Sequence, residues 1–148
     1  MVRKKGSTKT AEGKKPSRIE RKLALTSIQI QSINGQLLLA DPPEVAVKLN
    51  RQNSLTILEI REKELKIKLS ERLSFTPEGP FRLDVEILGS YQYKGKLEES
   101  DVIKEIEKIA QPLYSYASLV IGFITERFVS LPIIVAPFKE KDELSETP

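Results

Sequence analysis

Two segments in the middle of the chain alternate apolar and polar residues. The apolar positions are Leu65, Ile67, Leu69, Leu73 and Phe75 in the first segment and Phe81, Leu83, Val85, Ile87, Tyr91 and Tyr93 in the second. Successive side chains of a β-strand point to opposite faces, so each segment is predicted to form a strand with one buried face. A turn-forming sequence at residues 76–80 separates them. Together they predict an antiparallel hairpin with two apolar faces side by side.

The residues before this hairpin predict further strands. Residues 23–33 alternate isoleucine with glutamine, and we expect Asn34-Gly35 to end that strand. The pair Pro42-Pro43 then indicates a crossover loop that leads into a short strand at residues 45–49.

Helical periodicity begins only after residue 96. Ser100 is a candidate N-cap, and apolar residues follow it at helical spacing. Pro112 either kinks this helix or begins a second one, which extends to about Phe128. Strands followed by helices, without alternation between the two, are typical of an α+β fold. We therefore predict an antiparallel sheet of about four strands, followed by two C-terminal helices packed on one face.

The second predicted helix has more apolar residues than one sheet can cover. The stripe that would face the sheet consists of Leu113, Ala117, Val120, Ile121, Ile124 and Phe128, and Tyr114, Tyr116, Leu119 and Phe123 remain outside it. Small residues at Ser115, Ser118 and Gly122 would let a second helix approach closely. We predict a subunit interface formed by Ser115, Ser118, Leu119, Gly122 and Phe123. The alternative is a monomeric core helix in which Gly122 costs about 1 kcal/mol relative to alanine.

Charge divides the chain unevenly. Residues 1–22 hold nine Lys/Arg and two Glu, a charge of +7, so the remainder carries −4 of the total of +3. The basic stretch has too few apolar residues to repay the entropy of ordering. We predict a basic disordered arm at residues 1–22, a single domain at residues 23–138 and a flexible charged tail at residues 139–148. The arm would either bind nucleic acid or anionic lipid, or remain a solvated tail.

Composition disfavours catalysis and metal binding. The chain has no cysteine and no histidine, so the usual thiol nucleophiles, imidazole bases and zinc ligands are absent. No glycine-rich phosphate loop occurs, and the acidic pairs are typical of solvated faces. We expect a protein that is not an enzyme and has no cofactor or metal. A secretory signal and an apolar run long enough for a membrane are also lacking, so we expect a cytoplasmic protein without membrane insertion.

Two C-terminal motifs resemble the SecB-type export chaperones. Residues 113–117, Leu-Tyr-Ser-Tyr-Ala, match the start of the family's main helix, and residues 131–138, Leu-Pro-Ile-Ile-Val-Ala-Pro-Phe, match the proline-bracketed segment that follows that helix. Residues 27–33, 43–49 and 82–93 are similar to strands of the family in a weaker way. The resemblance covers residues 23–138 and implies a SecB-like fold.

The resemblance implies a homotetrameric chaperone, a dimer of dimers, that binds unfolded preproteins and transfers them to the SecA motor. Apolar side chains would then line a groove for extended client segments. The candidates are Leu37, Leu38, Leu39, Phe75, Tyr91, Tyr93, Ile133 and Val135, for each of which an ordinary core position is the alternative. The strand surface that docks on SecA is typically acidic in the family, whereas here Lys66, Lys68, Arg72 and Arg82 accompany Asp84 and Glu86.

These observations lead to one main hypothesis and several alternatives. The main one is an ATP-independent holdase for unfolded polypeptides, acting in export as a dimer or tetramer. A SecB-like chaperone of a toxin–antitoxin system is a variant of it. A nucleic-acid-binding protein that uses the basic arm is a second class, disfavoured because the remaining chain is net negative and lacks aromatics interleaved with Lys/Arg. A purely structural assembly subunit is the third.

Overall fold

The computed structural model describes residues 19, 22–38, 46–130 and 132–139. The strands and helices are, in chain order, β1 (Leu23–Leu37), β2 (Lys48–Arg61), β3 (Glu64–Thr76), β4 (Phe81–Tyr93), α1 (Glu99–Ile109) and α2 (Gln111–Val129). Of the predicted basic arm, only Ile19 and Lys22 are described, and Ile19 is buried against the core. The rest of that arm, and residues 140–148 of the predicted tail, lie outside the described residues.

The strands form one four-stranded antiparallel sheet in the order β1-β4-β3-β2. Strands β2, β3 and β4 follow one another as hairpins, whereas β1 lies beside β4. The connection from β1 to β2 therefore spans the width of the sheet, and β1 and β2 are its two edges. The predicted α+β fold, a four-stranded antiparallel sheet followed by two helices, is confirmed.

The core lies between the helices and one face of β3 and β4. Leu65, Leu73 and Leu83 are at most 1% exposed, as alternation predicted. Burying each such side chain contributes about 1.5–3 kcal/mol. Helix α2 packs over β4: a Cβ atom added at Gly89 of β4 would lie 2.7 Å from Cδ2 of Leu113 in the helix.

Strand β1 does not end at Asn34-Gly35, as the turn propensity of that pair predicted, but continues to Leu37. Gly35 lies opposite Leu83 in β4, and a Cβ atom added to it would collide with the ring of Phe128. The glycine is thus needed for close approach of helix α2 to the sheet. A close approach of this kind is a recognised reason for glycine inside a strand.

Strand β2 is longer than the short strand predicted at residues 45–49. It begins at Lys48 and runs for 14 residues to Arg61, while Val45 lies outside the described residues. Its alternation is obscured by a bulge between Ile57 and Glu59, which shifts the register with β3. After the bulge the side chains exchange faces, so a single period of two cannot describe the strand.

The helix boundaries decide between the alternatives at Pro112. Helix α1 ends at Ile109, and Pro112 lies in the first turn of a separate helix, α2. A proline fits there because its missing N–H would have no partner within the helix. The N-cap of α1 is Glu98, not the predicted Ser100, and its side chain makes no capping hydrogen bond.

The close approach at Gly35 predicts a specific packing coupling. We expect Gly35→Val to lower the free energy of unfolding by about 1–3 kcal/mol, because a well-packed site has no room for extra methyl groups. Combined with Phe128→Ala, the loss should be smaller than the sum of the single losses, since the colliding ring is gone. Urea denaturation measures both effects. Asn34→Val, on the exposed neighbouring position, is the control; additive losses would contradict the packing account.

Candidate functional site

Helices α1 and α2 cover the helix-facing side of strand β1 only in part: Phe128 lies against Gly35, and Leu23 and Ile28 pack against the core, but four other side chains remain exposed. Leu25, Ile30, Ile33 and Leu37 are 37%, 41%, 45% and 57% exposed. They face the same side as the core, because Ile33 lies opposite Val85 and Leu37 lies opposite Phe81. We call Leu25, Ile30, Ile33 and Leu37 the β1 strip. The strip lies beside the apolar core, on the same face of the sheet, but its side chains are exposed to solvent.

The flank of helix α2 forms a wall beside the β1 strip. One flank of α2 packs against the chain's own C-terminal residues, which also contact Arg51 of β2. The opposite flank therefore faces β1, and the spacing of the helix places half-buried Tyr116 and Val120 on it. The β1 groove lies between the strip and this flank and follows β1 as far as Gly35, where the ring of Phe128 contacts the strand. At the usual rise per residue that is roughly 40 Å, enough for a long extended segment.

A cleft of about 440 Å³ lies at the N-terminal end of the β1 groove. Its apolar lining is formed by Leu23, Leu25, Tyr91, Ile109 and Pro112, together with Lys108, Gln111 and Ser115. The Tyr91 hydroxyl donates a hydrogen bond of 2.8 Å to the carbonyl oxygen of Ile109. Burial raises the pKa of Tyr91 well above its usual value, so the phenol stays neutral. The cleft suits an apolar side chain.

Aromatic rings lie near the other end of the groove. The ring of Phe81 is 5.2 Å from that of Phe75 in an edge-to-face pair and 5.3 Å from that of Phe128. Leu37, the most exposed member of the β1 strip, is paired with Phe81 in the sheet. Both ends of the groove therefore offer apolar surface that is fixed by core packing.

The C-terminal segment, residues 132–139, occupies the other flank of helix α2. Ser118 Oγ donates to the carbonyl oxygen of Val135 at 2.8 Å, and the N–H of Ile133 donates to Thr125 Oγ1 at 2.7 Å. Val135 is 6% exposed and belongs to the core cluster. The segment thereby covers the helix on the side that faces β2.

A buried ion pair connects this segment to the sheet. Arg51 donates to Glu71 through Nη2 at 2.7 Å and through Nε at 3.0 Å, and the two side chains are 4% and 1% exposed. Arg51 Nη1 also donates to the carbonyl oxygen of Ala136 at 2.9 Å. Nearby, burial and the charges of Glu107 and Glu71 raise the pKa of Tyr114 to about 12. The hydrogen bonds of Arg51 to Glu71 and Ala136 compensate the desolvation of its guanidinium group.

The outer face of helix α2 carries a separate apolar patch. Leu119, Phe123 and Ile134 are 73%, 59% and 75% exposed. The guanidinium carbon of Arg127 lies 3.7 Å from the centroid of the Phe123 ring, a cation–π contact. We call Leu119, Phe123 and Ile134 the outer patch.

The opposite face of the sheet is polar, and four of its charged side chains form two ion pairs. Arg72 Nε lies 2.6 Å from Asp84 Oδ1, and Lys68 Nζ lies 3.5 Å from Glu86 Oε2. Basic and acidic groups neutralise each other here, so this face offers neither an acidic surface nor an apolar one.

The predicted groove residues lie in three different places. Leu37 lies in the β1 strip and Leu38 is half-buried, whereas Phe75 is half-buried in β3, where its ring packs on that of Phe81. Tyr91 and Tyr93 are buried core residues, although the ring of Tyr91 also lines the cleft. Ile133 and Val135 lie in the C-terminal segment on the far flank of α2. Leu39 is outside the described residues. The structure thus does not bring the candidates into one continuous groove.

The predicted interface residues divide into exposed and covered ones. Ser115, Leu119 and Phe123 are exposed. Ser118 and Gly122 lie under the C-terminal segment: a Cβ atom added at Gly122 would lie 3.4 Å from Cδ1 of Ile134. In the single chain, the small residues at these two positions accommodate that segment and not a second helix.

Of the β1 strip, sequence reasoning predicted only Leu37, and it missed the buried ion pair. Alternation places Ile30 and its neighbours on the core side, but only the packing of the helices shows that they remain exposed. Arg51 and Glu71 are two of 45 charged residues, 24 basic and 21 acidic, and nothing in the sequence marks them as partners.

Within the described part of the chain, no group of three or more acidic side chains is arranged to bind a metal ion. Among the same residues, no helix combines the length and the apolar character that crossing a membrane requires.

Comparisons with known proteins identify the fold. No model of a known protein family matches the sequence, and no curated protein sequence matches it. The structure is similar to the Mycobacterium tuberculosis Rv1957 SecB-like chaperone, solved in complex with a ChAD peptide from the Rv1956 HigA1 antitoxin. The TM-score is 0.71 at 12% identity, covering 82% of this chain and 94% of that chain. A protein of unknown function from Streptococcus agalactiae is similar with a TM-score of 0.51 at 15% identity, covering 77% and 96%. The chain has a divergent SecB-like fold.

The buried ion pair predicts strongly unequal mutant stabilities. We expect Arg51→Met or Glu71→Leu alone to cost about 3–5 kcal/mol, because each leaves a buried charge without its partner. The double variant should lose less than the sum of the two, since no uncompensated charge remains. Guanidinium denaturation measures the losses. Arg72→Ala, which breaks an exposed pair, is the control and should change stability little. Single losses as small as that of the control would contradict the account.

Proposed function

We propose that this protein is an ATP-independent chaperone of the holdase type, which binds non-native polypeptides in the β1 groove and performs no chemical step. The observation that carries the proposal is the β1 strip, four partly exposed apolar side chains on the helix-facing side of an edge strand. Monomeric soluble proteins seldom expose contiguous apolar surface of this kind without a partner.

The chemistry of the groove fits an extended chain of variable sequence. Within the described residues β1 is an edge strand, with one row of main-chain N–H and C=O groups that faces no other described strand. An extended client can bond to that row, while its alternate side chains bury apolar area against the strip. Main-chain bonds and hydrophobic burial require no particular client sequence.

The similarity to a SecB-like chaperone supports the same class of ligand. That neighbour was solved in complex with a peptide from an antitoxin. For this chain we propose non-native polypeptides as clients, with protein export as the process that the resemblance to SecB implies. The paired charges of Lys68 and Arg72 differ from the acidic surface that SecA docking would need, so an antitoxin-type client is the alternative.

We further propose that the protein acts as a dimer or tetramer in which Ser115, Leu119 and Phe123 contribute to a subunit contact. The outer patch supports this, because Leu119 and Phe123 are more exposed than most members of the β1 strip. A second copy packed on this face would remove their area from water.

Charges placed in the β1 strip should abolish chaperone activity. We expect Ile30→Glu/Ile33→Glu to lose most of its suppression of aggregation of a slowly refolding protein, measured by light scattering. Two carboxylates would be unfavourable against an apolar client. The matched control is Gln29→Glu/Gln36→Glu, which adds the same charge on the polar face of the same strand and should retain activity. Mass determination on the same samples shows whether the oligomer is intact. Equal losses in both variants, or none in either, would contradict the proposal.

Removal of residues 1–18 distinguishes the chaperone from a nucleic-acid-binding protein. The deletion keeps Ile19, which is buried against the core. We expect aggregation suppression at physiological salt to be unchanged, because burial of apolar area does not depend on the arm. A nucleic-acid-binding protein would instead lose most of its affinity for duplex DNA and RNA on losing these phosphate contacts. Strong, arm-dependent nucleic-acid binding without chaperone activity would support that alternative.

A further inference from the structure

The C-terminal segment is held by hydrogen bonds between side chains and its main chain. Ser118, Thr125 and Arg51 take part in three of these bonds, and Gln111 Nε2 donates another to the carbonyl oxygen of Pro137 at 2.6 Å. Among the described residues, no main-chain hydrogen bond joins the segment to a helix or a strand. The segment is therefore held through carbonyl and N–H groups that almost every residue has. Its side-chain sequence contributes only through packing.

The surface beneath the segment is shaped for an extended chain. We call it the trough, and it is formed by Arg51, Gln111, Ser118, Gly122 and Thr125. Inside it the occupant alternates: Val135 is buried, whereas Ile134 before it is 75% exposed. Small side chains on helix α2 make room for the main chain, since Ser118 and Gly122 both lie against residues 133–135. A segment with modest aliphatic residues at the positions of Ile133, which is half-buried against the core, and Val135 satisfies these contacts.

The geometry points to the trough as a second site for extended polypeptide, which in the free protein is occupied by residues 132–138. We propose that a client segment with an aliphatic residue in the Val135 position displaces the C-terminal segment and takes over its hydrogen bonds. This inference rests on the proposed holdase function and adds a site on the opposite flank of α2 from the β1 groove. The chain's own segment then acts as a tethered competitor.

Tethering explains why such a site would remain closed without a client. A segment linked to the trough by a few residues has an effective concentration on the order of millimolar, so dilute peptides compete poorly. The apparent affinity of any client is reduced by the fraction of molecules in which the trough is empty. A non-native chain that is already bound in the β1 groove is likewise held close to the trough. Its effective concentration at the trough is therefore also high, and it can displace the segment.

A covalent lock tests the exchange directly, and the absence of cysteine from the chain makes it selective. Gly122→Cys/Ile134→Cys in the full chain places two thiols where the segment crosses the helix, and dibromobimane then bridges them. The probe is a fluorescein-labelled peptide with the sequence of residues 131–139, followed by fluorescence polarisation. We expect bridging to weaken its binding by about tenfold or more, because the segment can no longer leave. The same double-cysteine variant without dibromobimane is the control, because it carries both substitutions and lacks only the bridge.

A second pair of variants weakens the competitor without changing the trough. Val135→Ala removes the buried anchor of the segment, so the same peptide should bind roughly fivefold tighter or more as the empty fraction rises. Ile134→Ala, at the exposed neighbour, is the matched control and should leave the affinity unchanged. Equal affinity of the peptide for bridged and unbridged protein, or no binding to either, would overturn the inference.

The two proposals fail in different ways. If the bridged protein suppresses aggregation fully while Ile30→Glu/Ile33→Glu does not, the trough is not a client site but the β1 groove is. If the unmodified chain itself suppresses no aggregation, the holdase function fails, and with it the inference.

Discussion

Uneven coverage of the sheet by the helices is the constraint on which the rest of the structure depends. Helix α2 packs over β4, and the C-terminal segment covers the side toward β2, so much of the helix-facing side of β1 remains exposed to solvent. The free energy of hydrophobic burial is roughly proportional to apolar area removed from water. Any partner that covers the β1 strip therefore gains the same kind of stabilisation that holds the core together.

The two edges of the sheet are consequently different. At β2, Arg51 is buried and forms hydrogen bonds with Glu71 and Ala136, which ties the edge to the C-terminal segment. At β1, the corresponding face holds aliphatic side chains that helix α2 covers only in part. A buried ion pair is weak evidence for stability by itself, but it fixes geometry, because either charge alone would be costly. The C-terminal segment thus covers the helix-facing side of β2, whereas the same side of β1 keeps exposed apolar side chains to which a partner can bind.

The amino-acid sequence predicts the inner strands well and the edges poorly. Every second residue is buried from Leu65 to Leu73 in β3 and from Phe81 to Tyr93 in β4, so Leu65 and Phe81 could be placed on the core face from the sequence. In β1, Asn34-Gly35 has the composition of a turn, and only the ring of Phe128 explains why a strand needs glycine there. In β2, a bulge after Ile57 breaks the period that the prediction relies on.

The candidate site shows the same limit. The sequence identified Ile133 and Val135 as apolar residues near prolines. It could not show whether they line a groove for a client or themselves occupy a groove of the protein. That distinction depends on the hydrogen bonds of Ser118 and Thr125, which join residues distant in sequence. The motifs at residues 113–117 and 131–138 did predict the SecB-like fold, since the helix and the segment that follows it pack against each other.

Hydrogen–deuterium exchange of the full chain, with and without a permanently unfolded polypeptide, would test the central claim most directly. The account predicts that the client slows amide exchange across residues 23–37 of β1. The amides of the inner strands β3 and β4, which exchange slowly without a client, should show no further change. Protection confined to residues 1–22, or no protection anywhere in the chain, would contradict the assignment of the β1 groove as a polypeptide-binding site.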